Sequence, residues 1–309
     1  MLKYTVVRLL QTIIVLIGVT LVTFILVNVV PGDPVAIMFE KRADPVTIEN
    51  ARRELGLDRP LYEQYFKLVR NAVRGDFGRS FFQKRPVSVM IASGFRVTAT
   101  LGFWILLYSC VFGVLFGISA AVFRGKAADK IIMFISTLGM CAPSFWIAII
   151  LQIVFGVWLD LLPISRLRGP SSYILPTLSL GVIYSAYIAR LTRTNMLEAL
   201  NQDYIRTARA KGLGFRSVIF KHGLKNAAIP IVTYIGILIR NILGGSVLVE
   251  TVFSINGLGR LMIEGIMNRD IPVIQGCSIY IAFVFVMANL IIDLLYGILD
   301  PRIRVAKRA

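Results

Sequence analysis

Between residues 97 and 123 the chain runs for 27 positions without a charged side chain. As a helix rising 1.5 Å per residue, such a run is longer than the hydrocarbon core of a bilayer, about 30 Å thick. Five more apolar runs, 9–30, 131–159, 173–189, 227–249 and 272–299, bring the number of expected membrane spans to six. With 56% hydrophobic residues over 309 positions and a mean hydropathy of +0.73, the chain is too apolar for an ordinary soluble domain. The expected fold class is all-α: a polytopic membrane protein, a single transmembrane domain over 1–309, with six transmembrane helices and a partly helical insertion, 31–97, after the first.

The net charge of +17 does not point to nucleic acid, because the charges sit between apolar runs and follow membrane topology. Cys110, Cys141 and Cys277 are far apart and include no CxxC pair, so neither zinc nor a disulfide framework is expected. His222 is the only histidine, which removes the HExxH protease motif and any His-rich metal site. No GxxxxGK[ST] motif occurs, so a nucleotide hydrolysed in this protein's work would be held by another chain. No metal and no catalytic residue is assigned.

The run 9–30 follows Lys3 and Arg8 and is longer than the apolar part of a signal peptide, so it reads as a retained anchor. The insertion 31–97 carries twelve Lys or Arg and eight acids. Asp44 before Pro45, with Gly56 as a stop, predicts one helix in it, and Asp58 with Gly75 brackets a second. Leu61, Tyr65, Leu68 and Ala72 then share one face of that second helix. In the second span Gly113, Gly117 and Ala121 recur every fourth residue, a small stripe for close helix packing. Pro143 predicts a kink in the third span. The fourth, 173–189, is short and holds Pro176, but an even number of spans keeps both basic chain ends on the cytoplasmic side. On that topology the cytoplasmic segments hold seventeen Lys or Arg against four in the short external loops.

Two charges fall inside spans. Arg240 lies near the middle of the fifth, where insertion costs about 2.5–3.5 kcal/mol, and Asp293 lies in the sixth. Both are expected to face a polar path, although Asp293 is near enough to its end to reach water. Between the fourth and fifth spans, 190–225 carries eight Lys or Arg and two acids. Asp203 as an N-cap, a helix over 204–211 and Gly212 as its stop, followed by a second short helix over 215–225, make a helical hairpin. Tyr204 and Ala208 lie one turn apart on it, with Arg206 and Arg209 pointing elsewhere. The residues alone leave open whether this hairpin docks a partner or only fixes topology.

The segment Arg206-Thr-Ala-Arg-Ala-Lys-Gly212, followed by His222-Gly-Leu-Lys-Asn226, resembles the cytoplasmic EAA loop of ABC importer permeases. The whole chain is similar to the B-type permease of dipeptide, oligopeptide and nickel importers. Matching motifs occur in order: Val30-Pro-Gly-Asp-Pro34, Leu55-Gly-Leu-Asp-Arg-Pro60, Gly75-Asp-Phe-Gly78, Leu243-Gly-Gly245, Gly257-Leu-Gly-Arg260, the run from Asn268 to Gln275, and Leu299-Asp-Pro-Arg-Ile-Arg304. Arg206 and Thr207 replace the Glu and Ala of the general motif. Asn256 replaces the proline usual before Gly-Leu-Gly and leaves the shape of that external turn open.

The resemblance implies a bacterial inner-membrane permease with both termini cytoplasmic, contacting membrane lipid and binding no nucleic acid. It implies a heterodimer with a second permease, two ATPase subunits that hold ATP and Mg, and a solute-binding protein that meets the periplasmic insertion 31–97. The chain itself would bind no cofactor. Within the cytoplasmic loop 190–226, Tyr204, Arg206, Thr207, Ala208, Arg209, Gly212, His222 and Asn226 would form the coupling site. Peptides lead as solute, with glutathione and nickel or another chelated metal as alternatives. An intramembrane protease is disfavoured, since Asp293 has no second acid at depth. A stand-alone channel or secondary transporter is the remaining rival.

Overall fold

The computed structural model describes residues 2–29, 52–53 and 58–299. Ten α-helices are named among them in chain order: α1 (Leu2–Val29), α2 (Leu61–Val73), α3 (Val87–Val122), α4 (Ala127–Cys141), α5 (Ser144–Leu151), α6 (Ile174–Leu200), α7 (Asp203–Ala210), α8 (Lys225–Val252), α9 (Leu258–Met267) and α10 (Ile271–Leu299). A π-turn, Gln152–Trp158, extends α5, a 3-10 turn, Pro170–Tyr173, precedes α6, and a second π-turn, Ser217–Leu224, leads into α8. The described residues contain no β-strand, only a bridge between Arg79 and Pro86. The chain divides into two compact units, 1–97 with 256–309, and 98–255, and the first boundary falls inside α3.

In the first unit α1 packs along α10, and α9 folds back on α10. Val87, Met90 and Ile91 from the first turns of α3 close a core with Leu258, Val273 and Cys277. The approach to α10 is close, because a Cβ on Gly276 would come within 2.9 Å of Val87 Cγ1. Asp270 is buried just before α10 and accepts hydrogen bonds from the Ser80 hydroxyl and from the Phe81 and Phe82 N–H groups, at 3.1 and 3.2 Å. One carboxylate thus pins the loop that enters α3. On α2, Tyr65 stands edge-on to Phe24 of α1 with ring centroids 5.5 Å apart, and its hydroxyl meets Thr20 Oγ1 at 3.0 Å. Tyr65, Leu68 and Ala72 are half-buried as the shared face predicts, whereas Leu61 at the helix start is exposed. The expected helix over 44–56 falls largely outside the described residues, as does the Val30–Pro34 motif.

The second unit is held by the small-residue stripe. A Cβ on Gly113 would lie 2.6 Å from Ile188 Cβ, and one on Gly117 would lie 2.5 Å from Thr192 Cβ, so α3 and α6 meet where only glycine fits. Ala121 continues this contact into a core with Met196, Ile219 and Ala227. Beside it Asp129 is buried near the start of α4. It takes a two-pronged ion pair from Arg193 of α6, at 2.6 and 2.8 Å, together with the Gly125 N–H at 2.9 Å.

Several expectations need correction. The third span is not one kinked helix: α4 stops at Cys141, and the chain turns by 107° before α5 continues. Proline drives the residue before it to extended backbone, and Ala142 sits at φ −79°, ψ 132°, which ends the helix. Among the described residues five helices are long and apolar enough to cross a membrane, and the bent pair supplies the sixth when its halves count as one span. α3 starts at Val87, ten residues before the expected span, directly after Pro86. α6 runs to Leu200, so Arg190 and Arg193 stand on a helix and not in a loop. The turn at Asn256 is short: Ser254 has a positive φ of 52°, and α9 begins two residues after Asn256.

Candidate functional site

The loop 190–226 is helical over most of its length. After α6 ends, Gln202 is extended at φ −76°, ψ 153°, and turns the chain into α7. Gln202 occupies the cap position, which corrects the expectation for Asp203: that residue is the first of the helix, and no side chain caps the end. Asp203 instead accepts from Thr207 Oγ1 at its carbonyl, 3.1 Å, and faces Arg206 across 3.4 Å in solvent. An ion pair this exposed contributes little. Gly212 performs the expected stop. Its φ of +73° is a backbone conformation glycine adopts without strain, its N–H bonds the Arg209 carbonyl, and Leu213 N–H bonds that of Ala208.

Two faces of α7 differ sharply. Ile205 and Ala208 are buried on Val218 with Leu200 beside them, while Tyr204, Arg206, Thr207 and Arg209 are exposed. Tyr204 and Ala208, expected to share an outward face, are therefore split, with Ala208 serving as the seat of the helix. The second helix of the hairpin is not separate but runs without a break into α8. Its π-turn, Ser217–Leu224, widens the helix so that 3.6-residue spacing no longer holds. His222 is half-buried there, its carbonyl accepts from Asn226 Nδ2 at 3.0 Å, and Gly223 is buried under Leu200 and Met196.

Sequence reasoning missed Phe215 and Phe220, which are 67% and 52% exposed beside these cations. They are large apolar groups exposed on a strongly basic hairpin. Their signal lay in the sequence as aromatics between Arg and Lys, but only the packing of the hairpin reveals that they stay outside. Glu250 was missed as well, because it follows the predicted end of the fifth span; it is buried and accepts from Thr98 Oγ1 at 2.6 Å. Arg240 lies on α8 and Asp293 on α10, but both side chains fall outside the described residues.

Residues 113–305 match the family model described as binding-protein-dependent transport system inner membrane component, and residues 1–102 match the N-terminal model of the same systems. The chain belongs to this family. It is 42% identical over 304 residues to the glutathione transport system permease protein GsiC of Escherichia coli, covering 98% of this chain and 99% of that one. The protein of the same name in Shigella dysenteriae serotype 1 gives the same figures. A crystal structure of an amino acid ABC transporter with histidines aligns at a TM-score of 0.50 and 19% identity, over 70% of this chain and 94% of that one, and so shares its fold. The protein is thus a multi-pass inner-membrane permease subunit of an ABC importer, a family of non-catalytic subunits that work with ATPase and binding-protein partners.

Proposed function

We propose that α7 is the helix on which the ATPase subunits act, and that this permease passes their stroke from α7 to its membrane helices. The observation that carries the reading is the split of α7 into an exposed face, with Tyr204, Arg206, Thr207 and Arg209, and a seat of Ile205 and Ala208 on the π-turn. A force on such a helix is delivered to Val218, and so to α8, with Leu200 linking it to α6. Gly212, His222 and Asn226 keep the hairpin's shape. A Tyr204→Cys variant should cross-link to a cysteine-bearing ATPase cleft in the assembled transporter, with the cross-link changing on ATP binding; its absence under all nucleotide states counts against the role.

Around that helix we place one second permease, two ATPase subunits that hold ATP and Mg, and a binding protein facing the 31–97 insertion. Both termini lie in the cytoplasm. The chain needs no cofactor of its own. The solute is a short peptide, a reading supported by the motif run and by the 42% identity to permeases named for glutathione, itself a small peptide. Competition of labelled dipeptide uptake by unlabelled glutathione separates the two: loss of signal makes glutathione a substrate, and no loss restricts the solute to ordinary peptides. Arg240 and Asp293 contribute to the polar path, so Arg240→Leu should abolish uptake at normal protein level.

A further inference from the structure

A cavity of about 1480 Å³ opens in the first unit between α2, the loop after it, the end of α1 and the first turn of α10. Its level is set by its walls. Phe24 and Asn28 lie at the end of the apolar segment of α1, which runs from Val6 to Leu26, and Ile271, Pro272 and Gln275 begin the apolar segment of α10. The Tyr65 contacts to Thr20 and Phe24 fasten α2 at the same height. The cavity therefore stands at the boundary between hydrocarbon and water.

Its charge is one-sided. Arg59, Lys67, Arg70, Arg74, Arg79 and Lys84 line it against two acids, Glu63 and Asp76. Glu63 is 3.7 Å from Arg59, and Asp76 accepts the Gly78 N–H. Among the described residues, Lys67, Arg70, Arg74 and Lys84 have no carboxylate within ion-pair distance. Lys67, Arg70 and Arg74 follow one side of α2 at spacings of three and four. On the adjoining side Tyr62, Phe66 and Val73 are exposed, Phe66 by 69% and Val73 by 84%. Cations next to bare apolar groups at membrane level match an anionic headgroup joined to acyl chains, a combination that neither a soluble acid nor a bare phosphate has.

We propose that this cavity binds the headgroup of an anionic glycerophospholipid, with Lys67, Arg70 and Arg74 around its phosphate and the acyl chains running past the exposed Tyr62 and Phe66. Lys84 closes the charge ring from the loop. Binding holds α2 against α1 and needs no solute, ATPase or binding protein.

The purified transporter, with all its subunits, is to be exchanged into nanodiscs of phosphatidylethanolamine containing 20% phosphatidylglycerol, and the lipid retained on release counted by native mass spectrometry. Wild type should retain phosphatidylglycerol in preference to phosphatidylethanolamine. Each cation near an anionic surface contributes roughly fivefold, so Lys67→Gln, Arg70→Gln and Arg74→Gln together should weaken retention roughly a hundredfold. Lys130→Gln, outside the cavity, should change nothing. If the triple variant does not assemble, the single Lys67→Gln and Arg74→Gln variants carry the test, with losses of about fivefold each. Unchanged retention in the variants overturns the proposal. So does displacement of the lipid by millimolar inorganic phosphate, which would make this a phosphate site. Normal lipid retention with lost capture of the binding protein would make the face a protein-docking surface and would equally overturn it.

Discussion

At the scale of single residues, two contacts set the packing of the second unit. Gly117 admits no side chain, since a Cβ there would be 2.6 Å from the Ala189 carbonyl oxygen as well as 2.5 Å from Thr192. Gly117→Ala is expected to cost about 1–3 kcal/mol by overpacking, whereas Gly139→Ala, with nothing nearer than 3.6 Å, should be nearly neutral. Thermal denaturation of the two variants in detergent checks this contrast. The Asp129–Arg193 pair is the second contact. Asp129→Ala leaves a guanidinium without its partner, but Arg193 keeps 26% of its side chain in solvent, which lowers the cost to about 1–3 kcal/mol. The same melting measurement should register it, and an unshifted transition would show the pair to be dispensable. The glycine stripe was legible because four-residue spacing of small residues has one geometric use. The ion pair was not, since nothing local links positions 64 residues apart.

At the scale of elements, turn chemistry was more legible than the direction of faces. Gly212 declared the end of α7 because a left-handed backbone there favours glycine. The inward turn of Ala208 was hidden, since it depends on Val218, which a π-turn brings beneath it. Pro143 announced a disturbance, but whether proline bends a helix or ends it depends on how the next segment packs, and here it ends it. The seating of α7 yields its own prediction. Ala208→Trp cannot be housed on Val218 and Ile205, so it should lift α7 and abolish uptake while the protein still inserts in the membrane. Arg209→Ala, on the exposed face, should leave membrane insertion and α7 seating intact and weaken only ATPase co-purification. Equal behaviour of the two variants would contradict the division of faces.

At the scale of the whole molecule, the family followed from an ordered set of motifs, and the comparisons bear it out, while hydropathy pointed to six apolar segments, of which five are single spanning helices among the described residues. Parity of the spans rests on the bent pair formed by α4 and α5. If it crosses the membrane, reporters fused after Lys126 and after Arg166 should report opposite sides, and both chain ends should report the cytoplasm. Reporters that agree at those two sites would leave five crossings and place the ends on opposite sides. Entry of ATPase work through the hairpin is tested most directly by measuring ATP hydrolysis and solute uptake together in proteoliposomes holding the complete transporter with Gly212→Glu. A side chain at φ +73° strains the stop of α7, and the carboxylate adds charge beside the docking face. ATP hydrolysis without uptake, or loss of bound ATPase, is expected in a permease that still inserts normally; uptake tightly coupled to hydrolysis, as in wild type, would contradict entry of the stroke through α7.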